Sequence, residues 1–238
     1  MKKAIIVGAT SGIGRQLAII LEENNYQVGI TGRRAELLEE LKALKPGCFI
    51  ASAFDVTNIQ QVPFKLKELA DQLGGLDLLF MSSGTGKINP TLKPDIERYT
   101  NEVNVAGFTA VADWGFNFFQ RQAFGHFAAI TSIAGTRGSR QAPAYFASKA
   151  YQINYLEGLS QKAKKLKYPI YITDIRPGFV DTAMAAGENM FWMATVEKAS
   201  KQIFDAIQNK KGVVYITKRW RLVAFILRFL PRFLYKRM

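Results

Sequence analysis

The sequence holds one cysteine, Cys48, and one histidine, His126, in 238 residues. A lone thiol forms no disulfide within the chain, which suits a reducing compartment such as the cytoplasm. Cys48 reads as a small core residue. With no cluster of histidines or cysteines, no metal site is expected. No apolar run approaches the ~20 residues that span a bilayer. The chain opens on a strand-like run, so no signal peptide is expected. Internal repeats, linkers and low-complexity tracts are also missing. Acid is scarce: 32 Lys and Arg stand against 19 Asp and Glu, a formal charge of +13. From Thr217 to Met238 there is no acid at all.

What is present is an alternating pattern. At 48% apolar the composition is globular, and the length suits one α/β domain with a sizeable core. Short apolar runs near 4–8, 26–31, 48–54, 77–82, 127–132, 170–175 and 213–216 predict strands. Helical spacing fills the gaps, with long helices around 95–122 and from about 144 to 166. Such alternation implies a doubly wound domain with a mostly parallel, seven-stranded sheet and helices on both faces. Ligands then sit beyond the C-terminal ends of the strands. This domain is expected to cover 1–216, with 217–238 as a tail and not a separate domain.

The first predicted strand runs into Gly8-Ala9-Thr10-Ser11-Gly12-Ile13-Gly14 and then a helix. Gly8 permits a tight turn, Gly12 lets backbone approach a pyrophosphate, and Gly14 allows close helix–strand packing. The helix N-terminus offers free N–H groups to phosphate. After the second strand comes Gly32-Arg33-Arg34, with no acid until Glu36. An acid there would accept bonds from a ribose 2′-hydroxyl. Two guanidiniums suit a 2′-phosphate instead, and Arg15 is a candidate addition. The pattern therefore favours NADP(H) over NAD(H).

Tyr145 and Lys149 stand at i and i+4 on a predicted helix and share a face. A phenol is a poor acid–base group at neutral pH, and a nearby ammonium is expected to pull its pKa down. Ser132 follows a β-like run, where a hydroxyl can bond a substrate carbonyl.

Taken in order, these motifs resemble the short-chain dehydrogenase/reductase family, whose fold is of the Rossmann type, from Lys2 to about Ala183. The resemblance implies that Thr10, Ser11 and Ile13 join the three glycines at the cofactor. It implies that Asp55 and Val56 contact the adenine. It makes Asn104, Ser132, Tyr145 and Lys149 the catalytic set, with Asn104 keeping a water in a proton relay behind Lys149. Pro177, Gly178, Val180 and Thr182 belong to the segment that closes over the nicotinamide, and residues 183–195 correspond to the substrate lid. One departure stands out. The family's Asn-Asn-Ala-Gly run is here Met81-Ser82-Ser83-Gly84. Ser83 and Gly84 still reach the cofactor, but bonds that brace the sheet must be made otherwise. A homodimer or homotetramer through the two long helices is implied, though Val111, Trp114, Phe118, Phe119, Tyr151, Tyr155 and Leu159 on them suit a core equally well.

The lid contains Met184, Met190, Phe191, Trp192 and Met193, which suit an apolar substrate or simple core packing. The tail carries seven Lys and Arg. Leu222, Phe225, Ile226, Phe229, Leu230 and Phe233 form one apolar stripe at helical spacing, with Arg221, Arg228 and Arg232 beside it. Pro231 should end or kink this helix. Peripheral contact with an anionic membrane, at the inner membrane surface, and docking on protein both remain open; nucleic acid fits least. The expected activity is NADP(H)-dependent interconversion of a carbonyl and an alcohol. The alternative is a catalytically silent NADPH-binding protein of regulatory or membrane-surface role.

Overall fold

A computed structural model describes residues 1–183 and 191–237. Seven strands form one sheet: β1 Lys2–Val7, β2 Tyr26–Gly32, β3 Phe49–Ala53, β4 Leu78–Met81, β5 Gly125–Ile130, β6 Ile170–Pro177 and β7 Val213–Ile216. All pairings are parallel, in the order β3-β2-β1-β4-β5-β6-β7. The helices between them are α1 Gly12–Glu23, α2 Ala35–Leu44, α3 Val62–Leu73, α4 Pro94–Asn101, α5 Phe108–Gln122, α6 Pro143–Leu166 and α7 Val196–Gln208. After β7 come α8 Trp220–Phe229 and the short α9 Arg232–Tyr235.

Side chains alternate across each strand, so β1 feeds two cores. Ile5 and Val7 join Leu66 and Leu69 of α3, Val111 and Phe119 of α5, and Leu156 of α6. Ala4 and Ile6 join Leu17 and Leu21 of α1, Leu38 and Leu41 of α2, and Ile203 of α7. Both faces are covered, which is why these strands read as continuous apolar runs. The strand order reverses between β1 and β4, and a crevice opens above that point.

The long helix expected over 95–122 is interrupted. Between α4 and α5, Glu102–Gly107 winds as a π-helix, a local widening often found at functional sites. Asn104 sits in this turn, and its side chain is tied to the backbone of Thr85 on both sides. Gly107 packs on the loop after β3, where an added Cβ would fall 2.8 Å from the Val56 carbonyl oxygen.

Where the family's asparagines are missing, main chain still braces the sheet. The N–H groups of Ser82 and Ser83 both donate to the Val7 carbonyl at 2.8 Å, joining the ends of β1 and β4. On the long helices, Val111, Phe119 and Leu159 are interior and leave the surface. Trp114, Phe118 and Tyr155 are half-buried, while Tyr151 is exposed. Cys48 is half-buried at the edge of the core.

His126 lies inside β5 and is buried, with Nε2 2.7 Å from the Thr173 hydroxyl. Burial first, and Lys210 second, lower its pKa to about 4. The unfolded chain binds that proton near 6.5, so the neutral form's stability is complete above about 6.5 and is lost as pH falls towards about 4. The loss should reach about 3 kcal/mol. Melting curves of wild type and His126→Gln should therefore converge as pH drops from 7.5 to 4.5. A difference that stays constant over that range contradicts this account.

Candidate active site

A cavity of about 1150 Å³ opens above the C-terminal ends of the strands. At one end lies the glycine turn. Gly8 and Gly12 adopt φ values of +100° and +55°, which L side chains rarely hold. A Cβ on Gly14 would lie 2.0 Å from the Gly8 carbonyl oxygen, so this glycine serves helix–strand packing and does not line the cavity. Ser11 caps α1 without a side-chain bond, which leaves the first helical N–H groups free to donate. Thr10, Ser11, Gly12 and Ile13 all line the space. This bare, donor-rich cradle fits the pyrophosphate of a dinucleotide.

Arg34 donates to the Thr10 hydroxyl at 2.7 Å and to the Ser11 hydroxyl at 3.0 Å. Arg33 donates to the Tyr99 hydroxyl and lies 3.7 Å from the Asp55 carboxylate. Both arginines border the cavity, as do Asp55, Val56, Ser83 and Gly84. Arg15 does not.

At the other end, β5 delivers Ser132 and α6 delivers Tyr145 and Lys149 to one wall. Ser132 caps a short 3-10 turn and accepts from Ala134 N–H at 3.0 Å. The Tyr145 ring packs over Gly86, where a Cβ would fall 2.7 Å from the ring. Pro177, at the end of β6, and Gly178, Val180 and Thr182 beyond it also line the cavity.

One expectation about this wall needs correction, and it concerns the phenol. Burial raises the Tyr145 pKa, the Ser132 hydroxyl opposes that as a hydrogen-bond partner, and Lys149 plays no part in the shift. The lysine ammonium is 5.9 Å from the ring centroid. Its protons go elsewhere, to the Ile130 carbonyl at 3.1 Å and the Gln152 side chain at 2.9 Å. Tyr145 is therefore held as a neutral phenol. Lys149 itself is buried, and burial lowers its pKa to about 8, with Asp174 resisting.

Asn104 is wholly buried and does not itself border the cavity. The link from Lys149 to the Asn104 carbonyl is made by Gln152, whose amide donates to that oxygen at 2.9 Å. The Asn104 side chain is spent on Thr85 and on the Ser148 hydroxyl at 3.0 Å. Gln152 was not singled out from the sequence. Its signal was there, since it lies one turn beyond Lys149 on the same face.

The roof was also missed. Trp220 of α8 is buried and borders the cavity. It presses on Gly178 so closely that a Cβ there would lie 2.0 Å from the indole. Phe179, Phe191 and Trp192 surround Trp220 at centroid distances of 5.4, 5.3 and 5.9 Å. Of the expected lid, Met184 and Met190 lie outside the described residues. Phe191, Trp192 and Met193 are exposed and so are not core. Arg137, from the loop after Ser132, donates to the carbonyls of Leu227 at 2.7 Å and of Leu230, fastening the end of α8.

The short-chain dehydrogenase model matches residues 2–191. The chain belongs to the short-chain dehydrogenase/reductase family. Oxidoreductases of this family use NAD(P)(H) on small molecules, and this one is an oxidoreductase of that family. It is 28% identical over 220 residues to an uncharacterized oxidoreductase of Mycobacterium tuberculosis, covering 89% of this chain and 86% of the relative. An uncharacterized oxidoreductase of Staphylococcus aureus is 30% identical over 191 residues, covering 79% and 82%. Among solved structures, ElxO with NADP bound superposes with a TM-score of 0.80 at 22% identity, over 90% of this chain and 96% of that one. A Burkholderia phymatum member in complex with NAD gives 0.84 at 19% identity, over 94% and 92%.

Proposed function

We propose that this family member is an NADP(H)-dependent oxidoreductase that interconverts a carbonyl and an alcohol on an apolar substrate. The observation that carries the proposal is the gathering of Ser132, Tyr145 and Lys149 in the same cavity as the glycine cradle. Ser132 donates to the substrate oxygen. Tyr145, protonated through burial, delivers its proton to that oxygen during reduction and becomes a phenolate, and that phenolate is the form that accepts the alcohol proton during oxidation. Lys149 holds a positive charge beneath the site and is a donor to the nicotinamide ribose. Asn104 and Gln152 are positioning residues that fix its ammonium. The bound nicotinamide supplies or accepts the hydride, and the chain supplies orientation and electrostatics.

The pyrophosphate is assigned to Gly8, Thr10, Ser11, Gly12 and Ile13, and the adenosine to Asp55, Val56, Ser83 and Gly84. Arg33 and Arg34 are assigned to the 2′-phosphate, and the preference for NADP(H) over NAD(H) rests on them. The solved neighbours fall on both sides of that choice, one described with NADP and another with NAD. The aromatic roof around Trp220 supports an apolar substrate. Tyr151, exposed on α6, supports a homodimer or homotetramer through the long helices. A cytoplasmic location at the inner membrane surface is consistent with the tail, and no helix among the described residues is long and apolar enough to cross a membrane.

Consumption of NADPH by purified protein across a panel of apolar and polar carbonyls tests the function. The wall makes a finer prediction as well. Reduction should weaken as pH rises through about 8, where Lys149 loses its charge. In Gln152→Glu a carboxylate faces the ammonium and raises its pKa, so the alkaline limb should move up by roughly one pH unit. A limb that stays in place would show that Gln152 does not position Lys149.

A further inference from the structure

The tail helix α8 has two apolar faces, and only one of them is occupied. The inner face, with Trp220, Val223, Ala224 and Leu227, lies on the body of the protein, and three of these four border the cavity. The outer face presents Leu222, Phe225, Ile226 and Phe229, each more than half exposed at 53–66%. Phe233 and Leu234 of α9 continue it at 64% and 41%. Six large apolar side chains in so short a segment form the sort of patch that marks an interaction surface.

Charge identifies the occupant. At 100° per residue, Arg221 and Arg228 fall on the flank between the two faces of α8. Among the described residues, none of the seven tail cations has an ion-pair partner. No acid lies anywhere from Thr217 to Met238. A second copy would bring a tail of the same sign against this one. An anionic bilayer instead offers acyl chains to the outer face and phosphates to the arginines. Trp192, under the Arg219 guanidinium at 5.1 Å, sits beside the same cluster and is exposed.

We propose that α8 and α9 lie in the headgroup layer of an anionic membrane, and that the cavity they roof is thereby turned to the leaflet, from which it draws a long-chain carbonyl or alcohol. The substrate half of this proposal rests on the oxidoreductase reading; the docking half does not. Arg137 supports the coupling, because it fastens the end of α8 to the loop that follows Ser132. The Tyr235 hydroxyl bonds the Gly138 carbonyl of that loop as well. The helix that meets the lipid is therefore fixed to the wall that performs the chemistry.

The test uses the full chain and vesicles of phosphatidylcholine, with or without phosphatidylglycerol. Wild type should sediment with the anionic vesicles and stay in solution with the neutral ones, and binding should weaken in high salt. The triple variant Leu222→Gln, Phe225→Gln, Phe229→Gln should bind on the order of 100-fold more weakly. Its substituted side chains lie outside the cavity, so its NADPH affinity and circular dichroism should match wild type. It should also reduce a short water-soluble aldehyde normally, yet lose reduction of a long-chain aldehyde presented in vesicles. Wild type that ignores anionic vesicles overturns docking. A wild-type dimer that the triple variant converts to monomer assigns the face to a second copy and overturns it too. Vesicle binding by a wild type that reduces neither aldehyde removes the oxidoreductase reading and the lipid route with it, while docking stands. An unfolded triple variant is replaced by Arg221→Glu with Arg228→Glu, which should also release the protein from anionic vesicles. Retained binding by that pair contradicts the role given to the arginines.

Discussion

Replacing Tyr145 by Phe should lower turnover on the order of 10²- to 10⁴-fold, the usual worth of a positioned general acid, and leave NADPH binding within about twofold of wild type. The substitution is clean because the ring keeps its seat over Gly86 and against Phe146, 5.8 Å away between centroids. Only the hydroxyl is lost, and with it the proton donor. Ser132 cannot take over, because its own proton is needed to hold the substrate oxygen and its hydroxyl also receives Ala134 N–H. The phenol enters the reaction already protonated, since burial raises its pKa. Stopped turnover with intact binding, read by NADPH oxidation and by fluorescence titration, supports the assignment. Turnover near wild type removes Tyr145 from the mechanism.

Replacing both Arg33 and Arg34 by Ala should weaken NADPH binding on the order of 100-fold, while NADH binding changes little. A hydrogen bond to a charged group is worth about 1.5–3 kcal/mol, and solvent screening takes part of that at an exposed site. Arg33 has to be shared with Asp55, 3.7 Å away, and with Tyr99. Arg34 also braces the glycine turn through Thr10 and Ser11. Titration with both cofactors separates these roles. Selective loss of NADPH identifies a 2′-phosphate site, whereas equal loss of both shows that the arginines serve the turn alone.

The fold was legible because its signals are local and repeated. β1, for example, is a continuous apolar run that ends in glycine, and such a run is what a strand covered on both faces requires. The predicted strand at 127–132 began two residues late, because Gly125 and His126 do not look like strand residues. The sheet nevertheless absorbs His126 by giving it Thr173 as a partner. The π-turn at Asn104 was invisible, since helical spacing does not register it and the Asn104–Thr85 bond within it is a tertiary contact.

At the candidate site the residue types were legible and the electrostatics were not. Spacing brought Tyr145 and Lys149 to one face, but it could not show that the ammonium would be spent on Ile130 and Gln152. Nor could it show that burial would govern the phenol. The tail was read as either lipid-facing or protein-facing. Once folded, α8 has an inner face on the cavity and an outer face in the open, so the protein-facing contact leaves the second face unoccupied. One stripe on a helical projection did not reveal that Trp220, Ala224 and Leu227 formed another.

The central claim is that this chain moves a hydride between NADPH and a carbonyl carbon with Tyr145 as the proton donor. The most direct measurement is to supply NADPH deuterated on the transferring face of the nicotinamide, together with an apolar aldehyde, and to locate the label in the product. The account predicts an alcohol carrying deuterium on the former carbonyl carbon, and none from Tyr145→Phe. An unlabelled product, or labelled alcohol formed equally well by the variant, would contradict it.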